Sequence, residues 1–392
     1  MPRVPLFVWI FVGGFCAVWI AFGSRILPSA RTHDFLNLYT GGSLALDGNF
    51  AHTHDVDVQL ARERRFVPQT DALRPFVRPP FYALMLAPIA LLPHPVAFNV
   101  WILIQSALLI GCWIWAWRRF GADALVFAAL SLPAPLGIAS GQDCVQLLVL
   151  FIIAYELTSR GKLAAGGAAL ALMLIKFHLI LLWPVALLIT RRWRMLAGFC
   201  AVAAAEGMLC LALGGMEGVR TYVALLQNKN LDYLSPSKEL MINFQGLTEN
   251  LGISSTTGAA AVMALIFILF VAAVRSAPLW RLFAATATAS LLIAPHVYAY
   301  DATLLLLPLW LTIFESRWPP SRITATLLCT PIPFGFALAG KPWAIVSSAS
   351  LLVFLLWLAL EGFRSVQDAP SSRRSAIVSS PSVSRDRGVR RL

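Results

Sequence analysis

Long apolar runs, separated by pairs of basic residues, are the feature that most restricts how this chain can fold. Of its 392 residues, 58% are hydrophobic and 13% are charged, whereas a soluble domain has roughly 45–50% apolar and about 25% charged residues. These charges are too few to cover the apolar surface of a soluble fold. A helix satisfies its backbone hydrogen bonds internally, as a bilayer requires, so the sequence predicts an all-α integral membrane protein.

Basic clusters predict the topology of this multi-pass bundle. Crossing a bilayer takes about 20 apolar residues, and the sequence offers about 12 crossings. With a cytoplasmic N-terminus and alternating crossings, every basic cluster from Arg118-Arg119 to Arg317–Arg322 lies in the cytoplasm, as the positive-inside rule requires. Both termini are then cytoplasmic, and the predicted location is the cell inner membrane. The predicted spans are 5–23, 97–117, 122–139, 143–158, 163–176, 177–190, 194–213, 257–274, 279–295, 302–314, 323–339 and 343–362.

A short segment and two long loops complete the predicted architecture. Segment 79–93 is interrupted by Pro88, and because proline breaks helices it is predicted to be re-entrant. A full crossing there would invert the orientation of everything downstream. Residues 24–78 and 214–256 are predicted to be extracytoplasmic loops. The membrane domain covers 1–365, and the Ser-, Pro- and Arg-rich residues 366–392 are predicted to be a disordered basic cytoplasmic tail.

The formal net charge of +12 does not indicate a nucleic-acid partner. Most basic residues flank apolar segments, which is typical of topology signals and of contact with anionic membrane lipids. The six cysteines are scattered, with no metal-binding or disulfide spacing. No phosphate-binding or dinucleotide-binding motif is found either. We therefore expect neither a metal nor another cofactor, and no nucleic acid.

The first predicted loop contains a candidate general base. Asp34 follows the first apolar run and is flanked by aromatic residues, which places a carboxylate at the membrane edge. A carboxylate within hydrogen-bond reach of a hydroxyl can accept its proton, although Asp is also a favoured helix N-cap. The neighbouring His52 and His54 alternate as metal ligands can, but a solvated loop explains them too.

Two cations are candidates for binding a phosphate. Arg78 stands at the end of the first predicted loop, where it can meet a phosphate or extend toward lipid headgroups. Lys176 lies near the end of an apolar run, beside His178. Ionisable residues inside membrane segments are costly and often functional, and a cation there could stabilise a phosphate leaving group. A lysine at a helix end that reaches the interface is the alternative for Lys176.

Polar side chains in two further linkers could bind sugar hydroxyls. Gln142 and Asp143 follow Gly141 between two spans, where a plain turn with Asp143 as N-cap is the alternative. His296 and Asp301 lie with two tyrosines after Pro295, a group that an interfacial aromatic belt also explains.

Taken in order, these pieces resemble glycosyltransferase family 87, the polyprenol-phosphate-mannose-dependent enzymes of the GT-C membrane superfamily. The residues that carry the resemblance are Asp34-Phe35 with Tyr39, Gly41-Gly42 through Gly48, the prolines 79, 80, 88 and 93, Gly141-Gln142, Lys176 and His296 through Asp301.

The resemblance implies a GT-C-type fold with its site outside the cytoplasm. It further implies inverting transfer of a sugar, with mannose as the expected one, from a polyprenyl-phosphate donor to a lipid- or glycan-linked acceptor. Asp34 would be the catalytic base, and Lys176 and Arg78 would bind the donor phosphate. The sugar or acceptor would be bound by Gln142, His178, His296, Tyr39 and Asp301.

The sequence departs from this family at three places, and two other functions stay open. Asp143 stands where Asn is commoner, Phe177 where Pro is commoner, and Asn243 lies in a segment that has lost most of its expected signature. A non-enzymatic flippase or transporter of lipid-linked sugars is the main alternative, although no internal repeat typical of transporters is found. An inactive structural homologue is the third possibility.

Overall fold

All regular structure in the described part of this chain is helical. The computed structural model describes residues 4–32, 34–69, 74–228 and 237–367. The helices are α1 (Leu6–Thr32), α2 (Asp34–Leu46), α3 (Val56–Phe66), α4 (Pro80–Ala90), α5 (His94–Phe120), α6 (Asp123–Leu130), α7 (Pro133–Ala139), α8 (Cys144–Ser159), α9 (Leu163–Ala171), α10 (Leu182–Ile189), α11 (Trp193–Gln227), α12 (Phe244–Asn250), α13 (Thr256–Val274), α14 (Leu279–Ile293), α15 (Leu306–Glu315), α16 (Pro319–Cys329), α17 (Pro331–Leu338) and α18 (Ile345–Gln367).

Five of these helices are long and apolar enough to cross a membrane, namely α1, α5, α11, α13 and α18. The sequence of α13 shows why: its 19 residues include no charged side chain, Ser255 caps its first turn by accepting a hydrogen bond from Gly258 N, and Arg275 follows its end. Large apolar side chains such as Leu103, Met208 and Ile268 point outward from the bundle, as lipid-facing residues do. The chain is a helical membrane protein.

Several predicted spans are two shorter helices instead of one. The span predicted at 122–139 is α6 followed by α7, and the one at 323–339 is α16 followed by α17. Pro133 and Pro331 begin the second helix of each pair, because proline lacks the N–H that a continuing helix needs. The count of about 12 crossings therefore remains a prediction.

The segments predicted as long loops carry helices. Within 24–78 lie the end of α1, all of α2 and α3, and a short 3₁₀ turn at Phe50–His52. Within 214–256, α11 continues to Gln227 after an interruption at Gly215, whose φ is +60°, and α12 follows. Their location outside the cytoplasm remains a prediction. His33 and the tail from residue 368 onward lie outside the described residues.

Helix α4 is too short to cross a bilayer by itself. Its 11 residues span about 16 Å at 1.5 Å per residue, roughly half of the ~30 Å hydrocarbon thickness. It packs on α2, where Gly42 lets the two helices approach: a Cβ at Gly42 would lie 2.7 Å from the carbonyl oxygen of Leu86. A short helix of this kind agrees with the re-entrant placement predicted for 79–93.

Helix α14 forms the centre of the bundle. Thirteen of its 15 residues are buried, and it packs against α13, α15, α18 and α10. Phe283 stacks on Phe151 of α8 and meets Trp183 of α10 edge-on. Because α8, α10 and α14 pack on one another, the linkers at their ends are brought to one place in the molecule.

Candidate functional site

Three linkers and one irregular segment meet at the end of the bundle core. They are the turn between α7 and α8, a 3₁₀ segment at Leu172–Leu179, a second 3₁₀ segment at Ala299–Leu305, and residues 74–79 before α4. Local sequence explains the breaks: Gly141 turns the chain with a φ of +73°, Lys176 has non-helical φ and ψ of −121° and 64°, and Pro295 follows the end of α14. Each linker supplies one polar side chain or more.

Lys176 is the centre of the cluster. Its Nζ lies 2.8 Å from Asp301 Oδ1 and 3.1 Å from Asp143 Oδ1. The same nitrogen lies 3.3 Å from Gln142 Oε1 and 3.4 Å from Cys144 Sγ. The lysine is 2% exposed. It is therefore a buried, paired cation and does not extend to the interface as a helix-end lysine would.

Asp143 bridges the two cations. Its carboxylate accepts hydrogen bonds from Arg78 Nε at 2.9 Å and from Arg78 Nη2 at 3.1 Å, in addition to the contact with Lys176. Asp143 stands at the N-cap position of α8, but its side chain makes no capping hydrogen bond there, so capping does not account for this residue. The fork-like geometry of this pair gives both strength and orientation.

Charges in the cluster balance. Arg78 and Lys176 contribute two positive charges, and Asp143 and Asp301 contribute two negative charges, all four being at most 8% exposed. Burying a charge is costly unless it is paired and hydrogen-bonded, and each of these charges has at least one partner of opposite sign. Losing any one member would leave the buried cluster with a net charge.

Asp301 is held from its own linker as well. Its Oδ2 accepts a hydrogen bond from Tyr298 N at 3.1 Å, which fixes the start of the 3₁₀ segment. Cys144 Sγ lies 3.6 Å from Asp301 Oδ1. Lys176 Nζ also lies 5.5 Å from the centre of the Tyr300 ring, within cation–π range. Sequence analysis assigned Cys144 no role, because its neighbours across the fold cannot be read from spacing.

Asp34 lies at the rim of this cluster and is the first residue of α2. It is partly exposed, and it interacts electrostatically with Tyr298 and Tyr300. The next residue, Phe35, packs on Gly141: a Cβ at Gly141 would lie 2.9 Å from Phe35 Cβ. The start of α2 is therefore fixed against the turn that carries Gln142.

Two histidines border the same region. His178 interacts electrostatically with Asp301, Arg78, Lys176 and His296, and the His296 ring meets Tyr298 edge-on at 4.9 Å. The segment around Asn243, which has lost most of the signature expected for the family, is hydrogen-bonded to the linker that contains His296. Asn243 Nδ2 donates to Ala294 O at 2.7 Å, and Ile242 N donates to Val297 O at 3.0 Å.

Two predicted positions lie apart from the ion pairs. The Tyr39 hydroxyl donates to Leu92 O at 2.7 Å, and its ring packs on His94, so Tyr39 fixes α2 to the α4–α5 junction. His54 is buried and its Nε2 lies 2.8 Å from Arg78 O, so it is no part of a solvated loop. Within the described ranges, no group of three or more His, Cys, Asp or Glu side chains could hold a metal ion.

Comparison with known proteins identifies the family. The model of glycosyltransferase family 87 matches residues 76–295, a range that includes Arg78, Gln142, Asp143 and Lys176. No curated protein and no solved structure matches the chain. Because the matched range covers more than half of the 392 residues, the chain belongs to glycosyltransferase family 87.

Proposed function

We propose that this glycosyltransferase moves a sugar, mannose being the first candidate, from a polyprenyl-phosphate donor to a lipid- or glycan-linked acceptor. Transfer would take place on the extracytoplasmic side of the inner membrane, with inversion at the anomeric carbon. One observation carries the proposal: two buried cations, Arg78 and Lys176, lie in one ion-pair cluster, and a partly exposed carboxylate, Asp34, lies at its rim. Inverting transfer from a phosphate leaving group needs cations beside the phosphate and a base for the acceptor hydroxyl.

Asp34 is the best candidate for the base. Asp143 and Asp301 are buried and engaged in ion pairs, whereas Asp34 is partly exposed and can be reached by an acceptor. Its carboxylate would take the proton of the acceptor hydroxyl. The hydroxyl oxygen would then bond to the anomeric carbon as the bond from that carbon to the phosphate oxygen breaks, and the lipid phosphate would leave with the bonding electrons.

Arg78 is the better candidate for direct contact with the phosphate. A guanidinium has five N–H groups, and Asp143 accepts from two of its nitrogens, so further donors remain for a ligand. Lys176 has three N–H groups, and Asp143, Asp301 and Gln142 all lie within bonding distance. We therefore assign Lys176 to holding positive charge close to the leaving group, where it stabilises the transition state electrostatically.

The remaining predicted positions divide into two groups. Gln142, His178 and His296 border the cluster, and we assign them to binding the sugar or the acceptor. Asp301 and Tyr39 were also expected to bind the sugar, but their polar atoms are engaged with Lys176 and with Leu92 O. We assign Asp301 to positioning Lys176 and Tyr39 to positioning α2.

A transfer assay tests this proposal. Purified protein in lipid would receive radiolabelled polyprenyl-phosphate-mannose and a membrane glycolipid extract, and the label should move to an acceptor. Parallel vesicles would report whether labelled donor crosses the membrane. Crossing of intact donor without a new glycosidic bond would contradict the proposal and favour a transporter. Transfer from a different polyprenyl-phosphate sugar would keep the reaction and replace mannose.

A further inference from the structure

The segment that carries Arg78 is held by buried side chains from other elements. Residues 74–79, which we call the Arg78 strap, lie outside any helix, so a helix does not satisfy their backbone groups. Arg74 N donates to Glu63 Oε2 at 3.1 Å, and Phe76 N donates to Gln59 Oε1 at 2.7 Å. His54 Nε2 lies 2.8 Å from Arg78 O. Side chains therefore replace the partners that a neighbouring strand would give.

Helix α3 presents one face to the strap. Gln59 and Glu63 are four residues apart, so they lie on the same side of the helix one turn from each other. Both are 0% exposed, whereas Arg64 and Arg65 on the outer side are exposed. Asp55 fixes the start of this helix by accepting hydrogen bonds from Asp57 N and Val58 N.

Burying an amide and a carboxyl on a short polar helix is destabilising, and hydrogen bonds from the strap backbone offset that cost. A buried polar group destabilises a protein unless it is hydrogen-bonded. Gln59 and Glu63 each accept one hydrogen bond from the strap backbone, and no other hydrogen bond to either side chain is found in the described part of the chain. Their burial therefore stabilises one conformation of residues 74–78.

That conformation directs Arg78 into the site. The Phe76 ring fills a space that exists because Gly41 has no side chain: a Cβ there would lie 2.5 Å from the ring. The Tyr222 hydroxyl of α11 donates to Val77 O at 3.1 Å. With the backbone held at 74, 76, 77 and 78, the Arg78 guanidinium reaches Asp143 at 2.9 and 3.1 Å.

We infer that Gln59 and Glu63 are positioning residues that act through Arg78 on binding of the donor phosphate. They touch neither the ion pairs nor the reacting atoms. The inference rests on the proposed function, since it takes Arg78 as the group that contacts the phosphate. It adds α3, which lies before the range matched by the family model, to the parts of the chain on which donor binding depends.

The test compares variants that keep or remove the hydrogen-bond acceptor. Gln59→Met and Glu63→Met have similar length but no acceptor oxygen for the strap, and Glu63→Gln retains one. Gln105→Met is the matched control, because Gln105 is also 0% exposed and neither polar atom of its side chain has a hydrogen-bond partner among the described residues. Binding of a short-chain polyprenyl phosphate to protein in nanodiscs would be measured by calorimetry, and KM and kcat for transfer would be measured beside it.

We expect Gln59→Met and Glu63→Met to raise the Kd of the lipid phosphate and the donor KM by about tenfold, the effect of losing one buried hydrogen bond. Glu63→Gln and Gln105→Met should stay within about twofold of wild type, and acceptor KM should be unchanged in every variant. Should Gln59→Met fail to fold, Glu63→Met against Glu63→Gln makes the same comparison.

A double-mutant cycle separates positioning from general stability. In an Arg78→Gln background, Gln59→Met should have no further effect on Kd, because the guanidinium that Gln59 positions is no longer present. Equal effects in both backgrounds, or a parallel loss of acceptor and donor affinity, would overturn this inference but leave the proposed function standing. A wild-type protein that binds no polyprenyl phosphate would instead overturn the proposed function, and the inference with it.

Discussion

Several ionisable side chains in this protein are buried, where a charge is destabilising, and each of them has an identifiable bonding partner. Lys176 and Asp143 are 2% and 0% exposed and lie 3.1 Å apart, although both interrupt otherwise apolar sequence. Glu63 is 0% exposed and has one backbone N–H as its partner. The ion pairs keep their charges through mutual attraction, whereas Glu63 has no opposite charge within ion-pair distance in the described residues.

The buried carboxyl of Glu63 predicts a pH-dependent stability. Burial raises its pKa from an ordinary 4.5 to about 7, so folding favours the protonated form. The stabilisation is complete below pH 4.5 and is lost as the pH rises through about 7. Glu63→Gln cannot ionise. As the pH rises from 4.5 to about 7, its free energy of unfolding should therefore increase relative to that of wild type, by up to about 3 kcal/mol at 1.4 kcal/mol per pKa unit.

Thermal unfolding of both proteins in detergent, from pH 4 to pH 8, measures this difference. His54 does not confuse the comparison, because burial lowers its pKa to about 4. Its contribution is lost as the pH falls through that value and is common to both proteins. A constant gap in stability across the pH range would show that Glu63 is ionised throughout, contrary to the prediction.

At the scale of helices, close contact depends on glycine. Gly198 of α11 faces α9, and a Cβ there would lie 1.9 Å from Ala164 O. Gly207 is on the same helix, and no atom of the part of the chain that the structure describes lies within 4 Å of its Cβ position. We expect Gly198→Ala to force α9 and α11 apart and to destabilise the protein by at least about 1–3 kcal/mol. Gly207→Ala should be neutral or stabilising by up to about 1 kcal/mol, because alanine favours helix.

Melting curves of the two variants, followed by tryptophan fluorescence, check this prediction. The two substitutions add the same methyl group to the same helix, so intrinsic helix propensity affects both equally. Equal melting temperatures for Gly198→Ala and Gly207→Ala would mean that α9 and α11 do not approach as closely as described here.

Sequence predicts the long helices better than the broken ones. Apolar length locates α5, α13 and α18 within a few residues, because bilayer thickness sets the length of a helix that crosses it. It fails around Lys176, where two predicted spans meet. There the chain forms the 3₁₀ segment Leu172–Leu179, because the Lys176 ammonium group bonds with two other linkers, the α7–α8 turn and the Ala299–Leu305 segment, and the local backbone follows it. Such a bond is not encoded in local periodicity.

Across the whole molecule, the linkers predicted to share one face do meet. Alternation of the predicted spans from a cytoplasmic N-terminus puts Arg78, Gln142, Lys176 and Asp301 on the extracytoplasmic side, and the structure brings them into one cluster. The positions that sequence analysis underestimated, Asp143 and Gln59 among them, are defined by contacts between distant elements. Hydropathy states which side of a membrane a residue faces, but not which side chain it meets there.

Orientation in the membrane is a separate prediction. Ser254, before α13, is expected outside the cytoplasm, and Lys162, before α9, is expected inside; both are exposed. In a chain whose six free cysteines are replaced by alanine, Ser254→Cys should react with an impermeant maleimide in spheroplasts. Lys162→Cys should react only after lysis. Because Arg78, before segment 79–93, is bonded to Asp143, after it, the reverse pattern would mean that the whole bundle is inserted the other way round, with the site facing the cytoplasm.

The most direct test of the proposed mechanism is the transfer rate of Asp34→Asn at saturating donor, measured against wild type and against Asp123→Asn as an exposed control. A general base contributes about 10²- to 10⁴-fold, so transfer should fall by that factor in Asp34→Asn while donor binding and melting temperature stay unchanged. Asp123→Asn should match wild type. Wild-type transfer by a folded Asp34→Asn protein would contradict the assignment of Asp34 as the base.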